Sequence, residues 1–298
     1  MAKQNSSRGR HAKASSSNSD SKKKSATVKK SFDKNKKFGA KSKPNPYRKD
    51  IRKSTPKQRL EEPTEIRLNK YIANSGICSR READVFIKAG SATVNGKVIT
   101  EMGYKVKPTD DVRFDDVAIN PEPKRYVLLN KPKNYITTMD DERRRHTVME
   151  LVGRATKERI YPVGRLDRNT TGLLLFTNDG EMAKKLTHPK HNVKKLYHAS
   201  LDKKLAMSDL QKISENFVLD GKMVFVDAIS YIENESKTEI GIEIHSGRNR
   251  IVRKIFEHFG YKVIKLDRVI FAGMTKKNLP RGHWRHLTQQ EVNNLKML

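Results

Sequence analysis

The chain has 298 residues, and 63 Lys+Arg against 34 Asp+Glu leave a formal net charge of +29. One cysteine, Cys78, excludes an intrachain disulfide and a cysteine-based zinc site, and no run of roughly 18 apolar residues is available for a membrane helix. With no apolar signal-peptide core at the N-terminus, the composition predicts a cytoplasmic protein with a polyanionic partner, nucleic acid foremost.

Charge is concentrated at the start. Residues 1–60 hold 20 Lys+Arg and three aspartates (Asp20, Asp33, Asp50), a net of +17, and the other 238 residues carry +12. The segment is rich in Ser and Asn, and its few apolar residues follow no period of 2 or 3.6. Such a chain cannot bury enough apolar surface to offset its ordering entropy, so residues 1–64 are expected to form a disordered basic arm. The arm is either a solubilising tail or a source of salt-dependent phosphate affinity through Lys22-Lys23-Lys24, Lys29-Lys30 and Lys36-Lys37. A mitochondrial targeting peptide fits less well, because Lys dominates and no amphipathic helix is visible.

Order is expected from Glu65. Leu68, Tyr71 and Ile72 stand at helical spacing, and Asn74-Ser75-Gly76 stops that helix. Ser79-Arg80-Arg81-Glu82 has the S-x-x-E form of a capping box, followed by an apolar stripe of Ala83, Phe86 and Ile87. Thr93 to Ile99 reads as a hairpin around an Asn95-Gly96 type I′ turn. Arg80 and Arg81 oppose the helix dipole in the first turn. They either face a phosphate backbone or pair with Glu82 or Asp84. The string from Arg67 to Lys97, "RLNKYIANSGICSRREADVFIKAGSATVNGK", resembles an S4-type RNA-binding domain over residues 65–116. That resemblance implies that Arg67, Lys70, Ser79, Arg80 and Arg81 lie on the RNA-facing surface.

Residues 117–124 read as a linker rich in proline and charge. Tyr126 to Lys131 then forms a strand stopped by Pro132, Thr137 to His146 a polar surface loop, and Thr147 to Val152 a short helix. Leu173 to Thr177 is a compact apolar run bounded by Gly172 and Asn178-Asp179-Gly180, hence a buried strand. Just before it, Arg165-Leu166-Asp167-Arg168 places a carboxylate between guanidinium groups on a loop at a strand end. Positive neighbours favour an ionised carboxylate, which can serve as nucleophile or base, although the same spacing also describes an ordinary salt bridge.

The longer string "GRLDRNTTGLLLFTNDGE" resembles the central motif of the RsuA/RluB family of rRNA pseudouridine synthases, which also carry an N-terminal S4-type domain. "HPKHNVKKLYHASL" is similar to the family's K-x-Y segment and supplies Lys195 and Tyr197. "GRNRIVRKIFEHFG" is similar to its G-x-N-R-x-[IV]-R motif, with Arg250 and Arg253, and "LPRGHWRHLT" to its closing segment.

By that resemblance the fold is α+β. An S4-like domain precedes a catalytic domain over residues 125–298, built on a mixed, antiparallel-rich sheet with flanking helices. The implied reaction isomerises uridine to pseudouridine in ribosomal RNA, with the base flipped out of its stack. The large-subunit (23S) branch matches more closely, acting on free rRNA or on a pre-ribosomal particle. Asp167 would attack C1′ or deprotonate C2′, Tyr197 would stack on the uracil, and Arg253 would pair with Asp167. On α-helical spacing Arg253 lies about 200° from Ile251 and could aim at a cleft. Arg165 and Arg168 would contact the RNA backbone, and Arg250 either a phosphate or the protein itself. No cofactor, no metal and no membrane are implied, and a monomer is expected. His188, His191, His198, His283 and His286 lack ligand-spaced carboxylate or thiolate partners. A different class of reading is a non-catalytic rRNA-binding assembly factor; a third is the same chemistry on 16S rRNA, and a nonspecific nucleic-acid binder leaves the loop carboxylate unexplained.

Overall fold

A computed structural model describes residues 65–298, so the basic arm lies outside the described residues. The small N-terminal domain opens with β1 (Ile66–Arg67), α1 (Leu68–Asn74) and α2 (Arg80–Lys88). Five short strands follow: β2 (Ala92–Val94), β3 (Lys97–Val98), β4 (Lys105–Val106), β5 (Val112–Phe114) and β6 (Val117–Ala118). Leu68, Tyr71 and Ile72 are all buried, as their spacing predicts, and pack with Ala83, Ile87, Val94 and Val112. The capping box forms in full: the Ser79 hydroxyl accepts from Glu82 N at 3.3 Å, and the Glu82 carboxylate accepts from Ser79 N at 2.6 Å. Asn95 and Gly96 both take positive φ (50° and 78°), the conformation a type I′ turn requires.

Two expectations change here. Phe86 is not buried with Ala83 and Ile87; it is more than a third exposed and meets Phe114 edge-on. The domain boundary also moves past Asp116. Asp115 and Asp116 form a second positive-φ turn, and β6 beyond it pairs with β5, so residues 117 and 118 belong to the small domain's sheet. The remaining linker is held at Glu122 from both domains: Glu122 N donates to Asn74 O, and the Glu122 carboxylate accepts from Arg159 N.

The large domain contains β7 (Tyr126–Lys131), α3 (Val148–Val152), β8 (Tyr161–Pro162), β9 (Thr171–Thr177), α4 (Gly180–Thr187) and β10 (Lys195–Leu201). It continues with α5 (Met207–Ser214), β11 (Phe217–Leu219), β12 (Lys222–Val224), β13 (Ala228–Tyr231), β14 (Glu239–Ile244) and α6 (Ile251–His258). The chain ends with β15 (Val263–Phe271), β16 (Met274–Thr275), β17 (Trp284–His286) and α7 (Gln289–Met297). Nine of these strands form one sheet with the order β13-β14-β10-β15-β9-β7-β17; β16 pairs β15 and β8 pairs β9. Only the β15–β9 pairing is parallel, so the sheet is mixed and antiparallel-rich.

Every residue of β9 is buried, which explains its nearly continuous apolar run. Leu173 and Leu175 face one layer with Met182 and Leu186 of α4 and Leu295 of α7. Leu174 and Phe176 face the other layer with Val148 and Val152 of α3. A sheet covered on both faces at β9 holds the loop entering that strand in a fixed place.

Candidate active site

The loop between β8 and β9 carries Arg165-Leu166-Asp167-Arg168. Leu166 is buried in the core beneath α3, and the apolar plug leaves Arg165 and Arg168 exposed and Asp167 half-buried. The loop's backbone is gripped from the end of β7. Lys131 has no exposed surface, and its ammonium donates to the carbonyls of Pro132 (3.0 Å), Asp167 (3.2 Å), Arg168 (3.4 Å) and Thr170 (2.9 Å). Burial lowers the Lys131 ammonium to about 8, against the opposing pull of the Asp167 carboxylate. The Thr137 hydroxyl donates to Leu166 O and accepts from Leu166 N, and Asn134 N donates to Arg168 O. Among the described residues the Asp167 carboxylate itself has no hydrogen bond and no ion pair within 4.0 Å. Its backbone is fixed while its side chain stays available.

Asp167 lines a cavity of about 170 Å³ together with Arg165, Thr170, Lys195, Tyr197, Arg248, Arg250, Arg268 and Phe271. The cavity arises where the sheet splits. β15 pairs β9 only at Thr171 and Gly172, whereas β8 takes the same edge at Phe176 and Thr177. The strands approach so closely at Gly172 (φ 108°) that a Cβ there would lie 2.3 Å from Arg268 O. On β10, Lys195 and Tyr197 share one face. The Lys195 ammonium donates to Val193 O (2.9 Å) and His245 O (2.8 Å), and burial, helped by the positive charge of Arg268, lowers it to about 8. Tyr197 is half-buried and packs on core residues on both sides of it. Arg250, the N-cap residue of α6, adopts positive φ (51°) and is exposed at the cavity, where Glu257 lies 3.7 Å from its guanidinium. Arg248 reaches β12, donating to Met223 O at 3.0 Å.

One expected contact is corrected. Arg253 makes no ion pair with Asp167 within 4.0 Å, and its guanidinium instead donates to Val263 O at 2.7 Å. Ile251, Val252, Ile255 and Phe256 bury one side of α6, and Arg253 turns from that helix to the free carbonyl at the start of β15 rather than to the cleft. Its charge still reaches the site: burial and Arg250 lower the Arg253 guanidinium, and Asp167 opposes that shift. Arg168 lies outside the cavity lining and is exposed.

In the small domain Arg67, Arg80 and Arg81 are exposed, and among the described residues none of them forms an ion pair. Asp84, a candidate partner for the arginine pair, accepts from Asn69 instead. Lys70 is engaged by Glu181 at 2.8 Å, and Ser79 is occupied as a cap. Lys70, Ser79 and Arg80 line a second groove with Arg159, Tyr161, Glu181 and Lys184 of the large domain. His198 pairs with Glu239 and His245 with Asp227.

Sequence reasoning singled out Asp167, Tyr197, Arg165 and Arg250 of the cavity, and noted Lys195 without giving it a role. It passed over Lys131, Arg248 and Arg268. The signal for two of them was a cation where an apolar residue belongs: Lys131 closes a buried strand, and Arg268 occupies an inward-facing position two residues after Leu266.

A loop aspartate at a strand end, an aromatic ring lining the same cavity and a rim of exposed arginines are the groups that chemistry on a base drawn out of RNA requires. The family model described as RNA pseudouridylate synthase matches residues 125–258, and the S4 domain model matches residues 66–112. The chain is 40% identical over 235 residues to the ribosomal large subunit pseudouridine synthase B of Bacillus subtilis, covering 78% of this chain and 96% of that one. It is 35% identical over 233 residues to the dual-specificity RNA pseudouridine synthase RluF of Escherichia coli, covering 77% of this chain and 78% of the relative. A crystal structure of a pseudouridylate synthase superposes with a TM-score of 0.54 at 27% identity, over 77% of this chain and 99% of that one. The protein belongs to the RNA pseudouridylate synthase family, with an S4 domain ahead of the catalytic domain.

Proposed function

We propose that the protein converts specific uridines to pseudouridine in ribosomal RNA of the large subunit, acting as a monomer in the cytoplasm. The observation that carries this reading is Asp167: a carboxylate with no partner among the described residues, on a loop whose carbonyls are locked by Lys131, opening into a cavity beside Tyr197. The similarity to the B. subtilis large-subunit enzyme supports the choice of subunit. Among the described residues no helix is long and apolar enough to cross a membrane.

The roles follow from position. The exposed cations Arg67, Arg80 and Arg81 engage RNA phosphates, sequence-independent contacts that set register. Arg165 and Arg250, exposed at the cavity, hold the backbone on either side of the flipped nucleotide. Tyr197 stacks on the uracil. Asp167 acts at the sugar, as nucleophile at C1′ or as base at C2′, and the N1–C1′ bond is replaced by a C5–C1′ bond with no net gain or loss of atoms. Arg253 supports the charge of Asp167 through space. The discriminating experiment is Asp167→Asn: the variant should bind rRNA with unchanged affinity and form no pseudouridine. An Asp167→Asn protein that still modifies its uridine would leave the non-catalytic assembly-factor reading standing.

A further inference from the structure

Arg268 lines the cavity, and the roles above leave its chemistry unused. Its position follows from a β-bulge. β10 and β15 run in register from Lys195↔Phe271 to Leu196↔Ile270 and then shift, so that Tyr197 stands opposite Arg268 and Val269 is the extra residue. The bulge brings Arg268 and Phe271 to the same face, and the guanidinium lies 4.4 Å from the Phe271 ring. Arg268 is only 3% exposed. Its Nε donates to Leu173 O at 2.8 Å, a carbonyl left without a strand partner where β15 leaves β9 and before β8 arrives. One half of the guanidinium fork is therefore structural.

The other half is not. Arg268 Nη2 is buried and has no hydrogen-bond partner among the described residues, and the same holds for Thr170 Oγ1. Both residues line the cavity with Asp167. A buried guanidinium donor without an acceptor costs several kcal/mol in general, so such groups are ordinarily matched. Lys195 lines the same cavity, but its ammonium is already matched by Val193 O and His245 O, whereas Arg268 Nη2 and Thr170 Oγ1 have no partner among the described residues.

We infer that Arg268 Nη2 is a catalytic donor to a carbonyl oxygen of the flipped uracil, stabilising the base as it leaves C1′. This rests on the pseudouridine-synthase reading of the cavity. The acceptor is the base rather than a phosphate, because the exposed Arg165 and Arg250 are the cations within reach of the backbone, and a phosphate inside the cavity would displace the base from Tyr197. When N1–C1′ breaks, the electron pair stays on N1 and its charge spreads to O2 and O4. C1′ meanwhile bonds to the Asp167 carboxylate, or becomes C1′=C2′ once Asp167 has taken the C2′ proton. After the base turns, C5 bonds to C1′ and Asp167 is released or returns its proton to C2′. The C5 proton then leaves and N1 is protonated, so the product is an isomer of the substrate. A donor already locked by Leu173 O needs no reorganisation to meet the developing charge.

The test compares uridine with 5-fluorouridine at the target position of an rRNA transcript, in single-turnover measurements of N1–C1′ cleavage. Fluorine makes the base a better leaving group, so it needs less stabilisation. Arg268→Met should slow cleavage of uridine about 100-fold with RNA affinity unchanged, and the penalty on 5-fluorouridine should be at least about fivefold smaller. Arg268→Lys, which can still reach Leu173 O, should show the same pattern and serves if the Met variant does not fold. Equal penalties on both bases, or no penalty, would overturn the assignment. Wild-type protein that forms no pseudouridine would instead remove the functional reading on which it rests.

Discussion

At the scale of single residues, Asp167 is placed by backbone contacts, and its carboxylate has no partner among the described residues. Lys131 is central to this, because one buried ammonium ties three carbonyls of the catalytic loop to that of Pro132 at the end of β7. Lys131→Met should therefore lower kcat about 10- to 100-fold with little change in RNA affinity, since the loop loses its geometry and not its charge at the rim. Stopped reactions at saturating RNA and a binding titration would separate the two. A rise in Kd with kcat unchanged would mean that Lys131 serves binding. Asp167 and Tyr197 were legible in the sequence because they sit in extended motifs. Lys131 and Arg268 leave only a weak signal, a cation where the strand pattern calls for an apolar residue, and the strand pairing decides that each turns inward.

At the scale of elements, the junction of β9 and β15 determines whether the cavity exists. Gly172 allows the two strands to meet, and beyond it they separate to admit the Arg268 side chain. Gly172→Ala would force a Cβ against backbone atoms of Arg268 in a positive-φ conformation. We expect a loss of about 3 kcal/mol, read as a lower midpoint in denaturant with the slope unchanged. A variant as stable as wild type would show that β15 shifts easily. The helices and the first hairpin of the small domain were legible from a capping box, an i, i+3, i+4 triplet and an Asn-Gly turn. The second hairpin is not legible because its Asp115-Asp116 turn lacks the usual glycine, which leaves Val117 and Ala118 in the expected linker. In the proposed function Arg80 and Arg81 at the start of α2 engage RNA phosphates. Replacing both with Ala should weaken RNA binding about tenfold and reduce the slope of log K against log salt by one to two. An unchanged slope would place the phosphate contacts elsewhere.

For the molecule as a whole, charge is arranged for RNA outside and for stability inside. Burial alone would raise the Asp267 carboxyl, but hydrogen bonds from Arg281 and Lys276 reverse this and hold it at about 2. The ordinary value is 3.8, so the folded state binds this proton less readily than the unfolded chain. The resulting stabilisation, about 2 kcal/mol, is complete above pH 4 and is lost as pH falls towards 2. Glu291, held at about 2 chiefly by its hydrogen bonds from Arg285, acts in the same direction between the last strand and α7. Asp267→Asn should therefore flatten the acid limb of the stability curve, as followed by urea midpoints between pH 2 and pH 6. A variant with the wild-type limb would show that the Arg281 and Lys276 contacts contribute nothing net.

The net charge of +29 divides into +17 over residues 1–60 and +12 over the rest of the chain, where the cavity lies. Nonspecific attraction is thereby separable from chemistry in the sequence, whereas the choice of uridine is not, because it depends on how the groove and cavity read an RNA shape. The central claim is tested most directly by mapping pseudouridine across rRNA from cells lacking the gene, complemented with either the wild-type or the Asp167→Asn protein. The account predicts that one or a few large-subunit positions lose pseudouridine on deletion and regain it with wild type alone. Restoration by Asp167→Asn, or an unchanged map of both subunits on deletion, would contradict it.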